Sequence, residues 1–321
     1  MPTLHVLLCV SVLLAFIMGF AIVRGDICAV AAVNYWINQK RTAYLRAFIA
    51  ASASAGLALL PCAWFFQDFV TLSKIHPVST TTLVGGAFFG LGAFLNGACV
   101  FGTIAHISRG ETNYLGSIVG MFLGGLSAPF ATSNAEVYST SPLSSPTILA
   151  VLVWLAFIGI LIHQLFSRHQ LIRLNYFKLT AKYEWDPILS MTVIGMTGGV
   201  LYGTVGNWGY LTVLSQDAAK LTNPYTPSVA TPVLTVTSAL FLGAIVAAWK
   251  MHRLNLRKPE VFKFGQKVIA GMLMSVAATL IPGGNDVLLL YGIPSFAVHA
   301  LVAYLVMLAT LAILFKSRKA R

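Results

Sequence analysis

Four cysteines, Cys9, Cys28, Cys62 and Cys99, have the most chemistry open to them in this chain. No Cys-x-x-Cys pair and no histidine spacing marks a zinc site, so no metal and no cofactor is expected. Cys9 and Cys62 lie inside long apolar runs and read as small packing residues. Cys28 and Cys99 differ, because each opens a short apolar stretch just after a glycine-containing break. Comparable openings occur where Gly209 and Tyr210 lead to Thr212, and where Gly283 and Gly284 lead to Asn285 and Asp286. A helix beginning at such a point presents unpaired N–H groups and the positive end of its dipole, a ready place for an anion. Two thiols, a hydroxyl and an amide would line it, and a thiol at its ordinary pKa is protonated at neutral pH. Such a ring of neutral donors suits a soft anion that sheds water briefly and leaves again.

Asp286 is the one carboxylate placed deep in an apolar region, which makes it a functional candidate by default. It reads equally well as a helix cap following Asn285. Arg24, Asp26 and Arg109 fall at the ends of apolar runs, where snorkelling or pairing accounts for them, and Glu111 reads as a solvated loop charge. No phosphate loop of the form GxxxxGK[ST] occurs, so the chain is not expected to hydrolyse ATP on its own.

The elements holding these residues follow from composition. The chain has 321 residues, 57% apolar and 9% charged, with a mean hydropathy of +0.81. Soluble domains carry about 25% charged residues. A cytosolic enzyme, a nucleic-acid binder and a secreted disulfide scaffold are thereby excluded. What remains is an all-α polytopic membrane protein, with residues 1–321 forming a single membrane domain in the lipid bilayer.

Nine apolar runs approach or reach the roughly 20 residues a span requires. They are Leu4–Val23, Tyr44–Phe66, Thr80–Leu95, Tyr114–Ala131, Thr147–Phe166, Ile188–Val205, Pro232–Trp249, Gly265–Ile281 and Ser295–Phe315. The first is read as a retained helix, since Met1 to His5 carries no Lys or Arg and no small-x-small cleavage site precedes Arg24. Four shorter apolar pieces, Ile27–Ile37, Gly97–Ile107, Gly209–Ala219 and Gly284–Tyr291, are too short to cross and read as re-entrant helices.

Of the 21 Lys and Arg residues, 19 follow odd-numbered runs. The net charge of +12 therefore describes a topology, with the amino terminus outside and the carboxyl terminus in the cytoplasm. The spacing also repeats. Gly19, Gly25 and Cys28 recur as Gly203, Gly209 and Thr212, and Gly97 with Cys99 recurs as Gly283 with Asn285. With residues 147–166 as an unpaired linker helix, residues 4–131 and 188–315 are expected to be inverted repeats. A site between inverted halves is the architecture of secondary transporters.

The stretches GFAIVRGDICAVAA (Gly19–Ala32), GGAFFGLGAFLNGACVFGTIAHISRG (Gly85–Gly110) and IPGGNDVLLLYGIP (Ile281–Pro294) resemble signature segments of the YeeE/YedE sulfur-transport family. The resemblance implies a multi-pass permease of a bacterial inner membrane, similar to thiosulfate transporters. It implies short helices bearing cysteines at a constriction, with Cys28 and Cys99 as the first two family cysteines. The third family cysteine falls on Asn285, and an amide donates hydrogen bonds but cannot exchange sulfur. On this reading Cys28, Cys99, Asn285, Gly97, Gly284, Asp286, Tyr210 and Thr212 bind the substrate, a small sulfur-containing anion. The alternative is a membrane thiol enzyme using Cys28 and Cys99 for redox or sulfur transfer. A homo-oligomer and a cytoplasmic sulfur-carrier partner are both left open.

Overall fold

The computed structural model describes residues 2–127, 139–166, 184–206, 208–226 and 229–319. Among them there is no strand, and every regular element is a helix. The long ones are α1 (Pro2–Arg24), α3 (Ala43–Phe65), α4 (Thr80–Asn96), α7 (Ile148–Phe166), α8 (Pro187–Val205), α10 (Thr231–Lys250), α11 (Val261–Leu280) and α13 (Val298–Lys319). These account for the 8 helical segments long and apolar enough to cross a bilayer. The short ones are α2 (Ala29–Gln39), α5 (Val100–Ser108), α6 (Leu115–Gly125), α9 (Tyr210–Thr222) and α12 (Asn285–Val287), the last continued by a π-helical turn over Leu288–Gly292.

All four short apolar pieces form separate helices or helical turns after a break. The ninth expected span, Tyr114–Ala131, contains the 11 residues of α6, and Ala131 lies outside the described residues. Local chemistry explains the breaks. Gly97 caps α4 in the left-handed region at φ 71°, and Gly283 stands at φ 132° directly after Pro282, so neither helix can continue. At α8, the Asp186 carboxylate accepts from Ile188 N–H at 2.9 Å and Pro187 occupies the first turn.

Apolar side chains such as Leu13, Ile49, Leu152, Leu242 and Ile313 remain outward. That is costly in water and costless in lipid, so cohesion must come from packing and polar pairing inside the bundle. The packing has an internal correspondence. Helix α1 lies on α10 as α3 lies on α8; α4 lies on α13 as α6 lies on α11; α1 meets α8 and α4 meets α11. Each contact in the first two pairs joins a helix of residues 4–131 to one of residues 188–315.

Glycine makes these contacts close. A Cβ on Gly19 would meet Leu240 C=O and one on Gly243 would meet Phe16 C=O, while Gly195 and Gly199 sit on the Ala51 and Ala55 carbonyls. Gly86 and Gly90 face the Ala303 and Met307 carbonyls, and Gly120 faces Val268 C=O. Helix α7 stands apart on α3, held by Trp154 Nε1 donating to Leu57 C=O at 3.1 Å.

Gly243→Leu should therefore overpack the α1–α10 contact at a cost of about 1–3 kcal/mol. Thermal unfolding of the purified protein in detergent should show a lowered midpoint. Gly159→Ala, where a Cβ meets nothing within 4 Å, should leave the midpoint in place.

Candidate functional site

The four breaks converge, and the side chains beside each one complete the backbone of another. Cys99, the N-cap of α5, accepts from the Ala29 N–H that opens α2, at 3.2 Å to Sγ. Asn285 Oδ1 at the start of α12 accepts from the Val100 N–H that opens α5, at 3.3 Å. Tyr210, the first residue of α9, donates its hydroxyl to Val100 C=O at 3.0 Å. Free N–H groups at helix starts need partners wherever water is absent, and here they find them in one another's side chains.

Cys28 is the N-cap of α2, and its thiol interacts directly with that of Cys99. Both cysteines are free and buried, Cys28 at 7% exposure and Cys99 at 0%. A Cβ at Gly102 would stand 2.7 Å from Cys28 Sγ, so glycine there is what lets the thiol lie against α5. Asn285 is also fully buried, and among the described residues its Nδ2 has no hydrogen-bond partner. Next to it Asp286, 4% exposed, accepts from Tyr202 of α8 at 2.6 Å through Oδ2, while its Oδ1 has no partner. Gly209 leaves room for this carboxyl, since a Cβ there would lie 2.6 Å from Asp286 Oδ2.

Cys28, Cys99, Asn285, Asp286 and Tyr210 are thus brought together, with Gly284 as the N-cap of α12 between them. Thr212 is not joined to them by any hydrogen bond among the described residues. The caps give the reason: Cys28 caps α2 but Gly209 caps α9, which leaves Thr212 in the third position of its helix. Gly97 does not face the thiols either. It turns the chain, and a Cβ on it would point to Lys267 Nζ at 3.5 Å and Tyr114 Oη at 3.6 Å.

Spacing did not reveal the supports behind this cluster. Asn96 bridges Ala98 C=O and Thr103 Oγ1, both at 2.9 Å, and accepts from Ser117 Oγ at 2.6 Å. Lys267 donates to Asn96 C=O while its ammonium lies 4.4 Å from the centre of the Tyr114 ring. Arg24 does not snorkel to water. It is fully buried, its guanidinium 5.4 Å from the Phe20 ring centre and 5.8 Å from that of Trp185, where π faces take over part of its solvation. Arg109 pairs with Asp26 at 2.6 Å, as its position at a run end suggested. Glu111 is no free loop charge, because His106 Nδ1 lies 3.2 Å from its carboxylate.

A sequence model of the family described as Sulphur transport matches residues 24–313. The chain belongs to this family. The match takes in every break just described. No curated protein matches the chain.

Asn285→Leu should leave Val100 N–H buried without an acceptor, at about 1–3 kcal/mol. It should lower the unfolding midpoint clearly more than Thr212→Val, a change at a half-buried position with no such bond. The His106 contact, the largest cause, holds the Glu111 carboxyl below its ordinary range. Its contribution is therefore complete above the unfolded value near about 4.3 and fades as pH falls through the lower folded value. At 29% exposure this is worth under about 1 kcal/mol. Thermal midpoints measured through that acid range should fall less steeply for Glu111→Gln than for the native chain.

Proposed function

We propose that this member of the sulphur-transport family is a permease for a small sulfur-containing anion of the thiosulfate type. The anion would pass between two inverted halves, residues 4–131 and 188–315, at a constriction formed by Cys28, Cys99 and Asn285. The observation that carries this reading is the exchange of hydrogen bonds among the breaks. Ala29 N–H on Cys99 Sγ and Val100 N–H on Asn285 Oδ1 are donors held by weak or long acceptors. An oxyanion would be a better acceptor for both, and Asn285 Nδ2 adds a donor with no present partner.

The cluster is buried, so this conformation is a closed constriction that a passing anion must part. Cys28, Cys99, Asn285 and Tyr210 carry no charge at ordinary protonation, so none of them holds the anion as a fixed cation would. Family membership favours a carrier over an enzyme. The distribution of Lys and Arg supports an amino terminus outside, and the resemblance to the family supports a bacterial inner membrane.

The direct thiol contact favours a second reading, a membrane enzyme working through a Cys28–Cys99 couple. Reactive thiolates would be alkylated in the native protein at and below neutral pH. Carrier thiols would be alkylated only as pH rises toward the ordinary thiol range.

Labelled thiosulfate uptake into proteoliposomes tests the first reading. Cys99→Ala removes the acceptor of Ala29 N–H and one wall of the constriction, and should reduce the rate at least about tenfold, equivalent to roughly 1.4 kcal/mol. Equal rates in both proteins would remove Cys99 from the pathway.

A further inference from the structure

The carrier reading leaves Asp286 without a task. It is 4% exposed and buried beside the constriction; among the described residues no cation pairs with it, and only one of its oxygens has a hydrogen-bond partner. Tyr202 Oη donates to Oδ2 at 2.6 Å. The backbone N–H groups of Asp286 and Val287 also lie close to the carboxyl. The titratable groups facing it are Tyr202 from α8 and Tyr210 from α9, with the Cys99 thiol next in line through Asn285 and Val100.

An ionised carboxylate in such surroundings is heavily penalised, whereas a neutral carboxyl carries only the cost of a polar group. Burial favours the neutral form, while the Tyr202 hydroxyl on Oδ2 and the nearby backbone N–H groups favour the ionised one, and Oδ1, with no side-chain partner among the described residues, has room for the proton. A sodium ion would need several oxygens around it, and the Tyr202 hydroxyl is the one side-chain partner found on the carboxyl. Asn285, whose amide nitrogen also lacks a partner, adjoins Asp286 in the chain.

We propose that Asp286 is a proton-coupling site, which takes up one proton from one face of the membrane as the anion enters and gives it up to the other as the anion leaves. The inference rests on the carrier reading. Its logic is reciprocal: an anion beside the Asn285 amide raises the proton affinity of Asp286, and a protonated Oδ1–H both removes a repelling charge and offers the anion a donor. The residue that follows Asp286, Val287, borders open space. A cavity of about 280 Å³ is lined by Val287, Tyr291, His299 and Gly206, and Tyr291 stacks on Tyr202 at 5.8 Å between ring centres.

The test uses proteoliposomes holding the full-length protein, labelled thiosulfate outside and a pH-sensitive dye inside. Native protein should acidify the lumen as it takes up thiosulfate, and an inward proton gradient should raise the accumulated label severalfold where a sodium gradient does not. In Asp286→Asn, which keeps the shape and a donor but cannot release a proton, protons moved per thiosulfate should fall at least about tenfold whatever the remaining rate. Should that variant not fold, Tyr202→Phe carries the test. Losing the hydroxyl that favours the ionised carboxyl should move the pH of half-maximal uptake upward, and an unmoved midpoint overturns the proposal. Normal thiosulfate exchange without acidification, or accumulation driven by sodium, overturns the coupling alone. No thiosulfate exchange by the native protein under any gradient overturns the carrier reading, and the coupling with it.

Discussion

A backbone inside a bilayer has no water to fall back on, and this chain interrupts its helices there at four places. Each interruption frees N–H and C=O groups whose desolvation is costly if they stay unpaired. The partners could have been supplied locally, by caps within each turn. Here they come from the other interruptions: Cys99 for Ala29, Asn285 for Val100 N–H, Tyr210 for Val100 C=O. The breaks therefore have to lie together, and the long helices must be arranged so that they do. A dense knot of polar groups at the centre of an apolar bundle is the result of that requirement.

The glycine contacts are what make the arrangement possible at this range. Helices in lipid gain little from burying apolar surface, so they must approach closely enough for dispersion and backbone dipoles to hold them. Gly19 and Gly243 bring α1 and α10 together, and Gly195, Gly199, Gly86, Gly90 and Gly120 do the same for the corresponding pairs. Every one of these contacts crosses between residues 4–131 and 188–315.

Much of this was legible beforehand because it depends on local composition. Apolar runs too short to span, Pro282 beside two glycines, and cysteines directly after breaks all announce their structure within a few residues. The residues that escaped depend on distant partners. Tyr202 looks like any aromatic in an apolar helix until Asp286 is brought against it, and Lys267 looks like an ordinary membrane-end cation until it reaches Asn96. Of the two expectations for Arg24, snorkelling fails for the same reason, since the Trp185 ring that covers it stands far away in sequence. The register of the second half was off by part of a turn: glycine spacing aligned Thr212 with Cys28, whereas the helix that follows begins at Tyr210, so Gly209 takes the capping role.

Charge is distributed so that the centre and the ends of the bundle act differently on an anion. Arg109 at the end of α5 is matched by Asp26, Lys267 is held by a carbonyl and a ring, and Arg24 lies between the Phe20 and Trp185 rings, so each of these cations is engaged within the fold. The centre itself offers thiols, an amide, a phenol and backbone N–H groups, which attract an oxyanion through dipoles that fall off quickly with distance. A fixed cation there would bind more tightly and release more slowly, and a carrier gains nothing from affinity it cannot undo. A single carboxyl beside such a ring then has unusual leverage. Ionised, it repels the anion from a site with no opposing charge; neutral, it becomes one more donor.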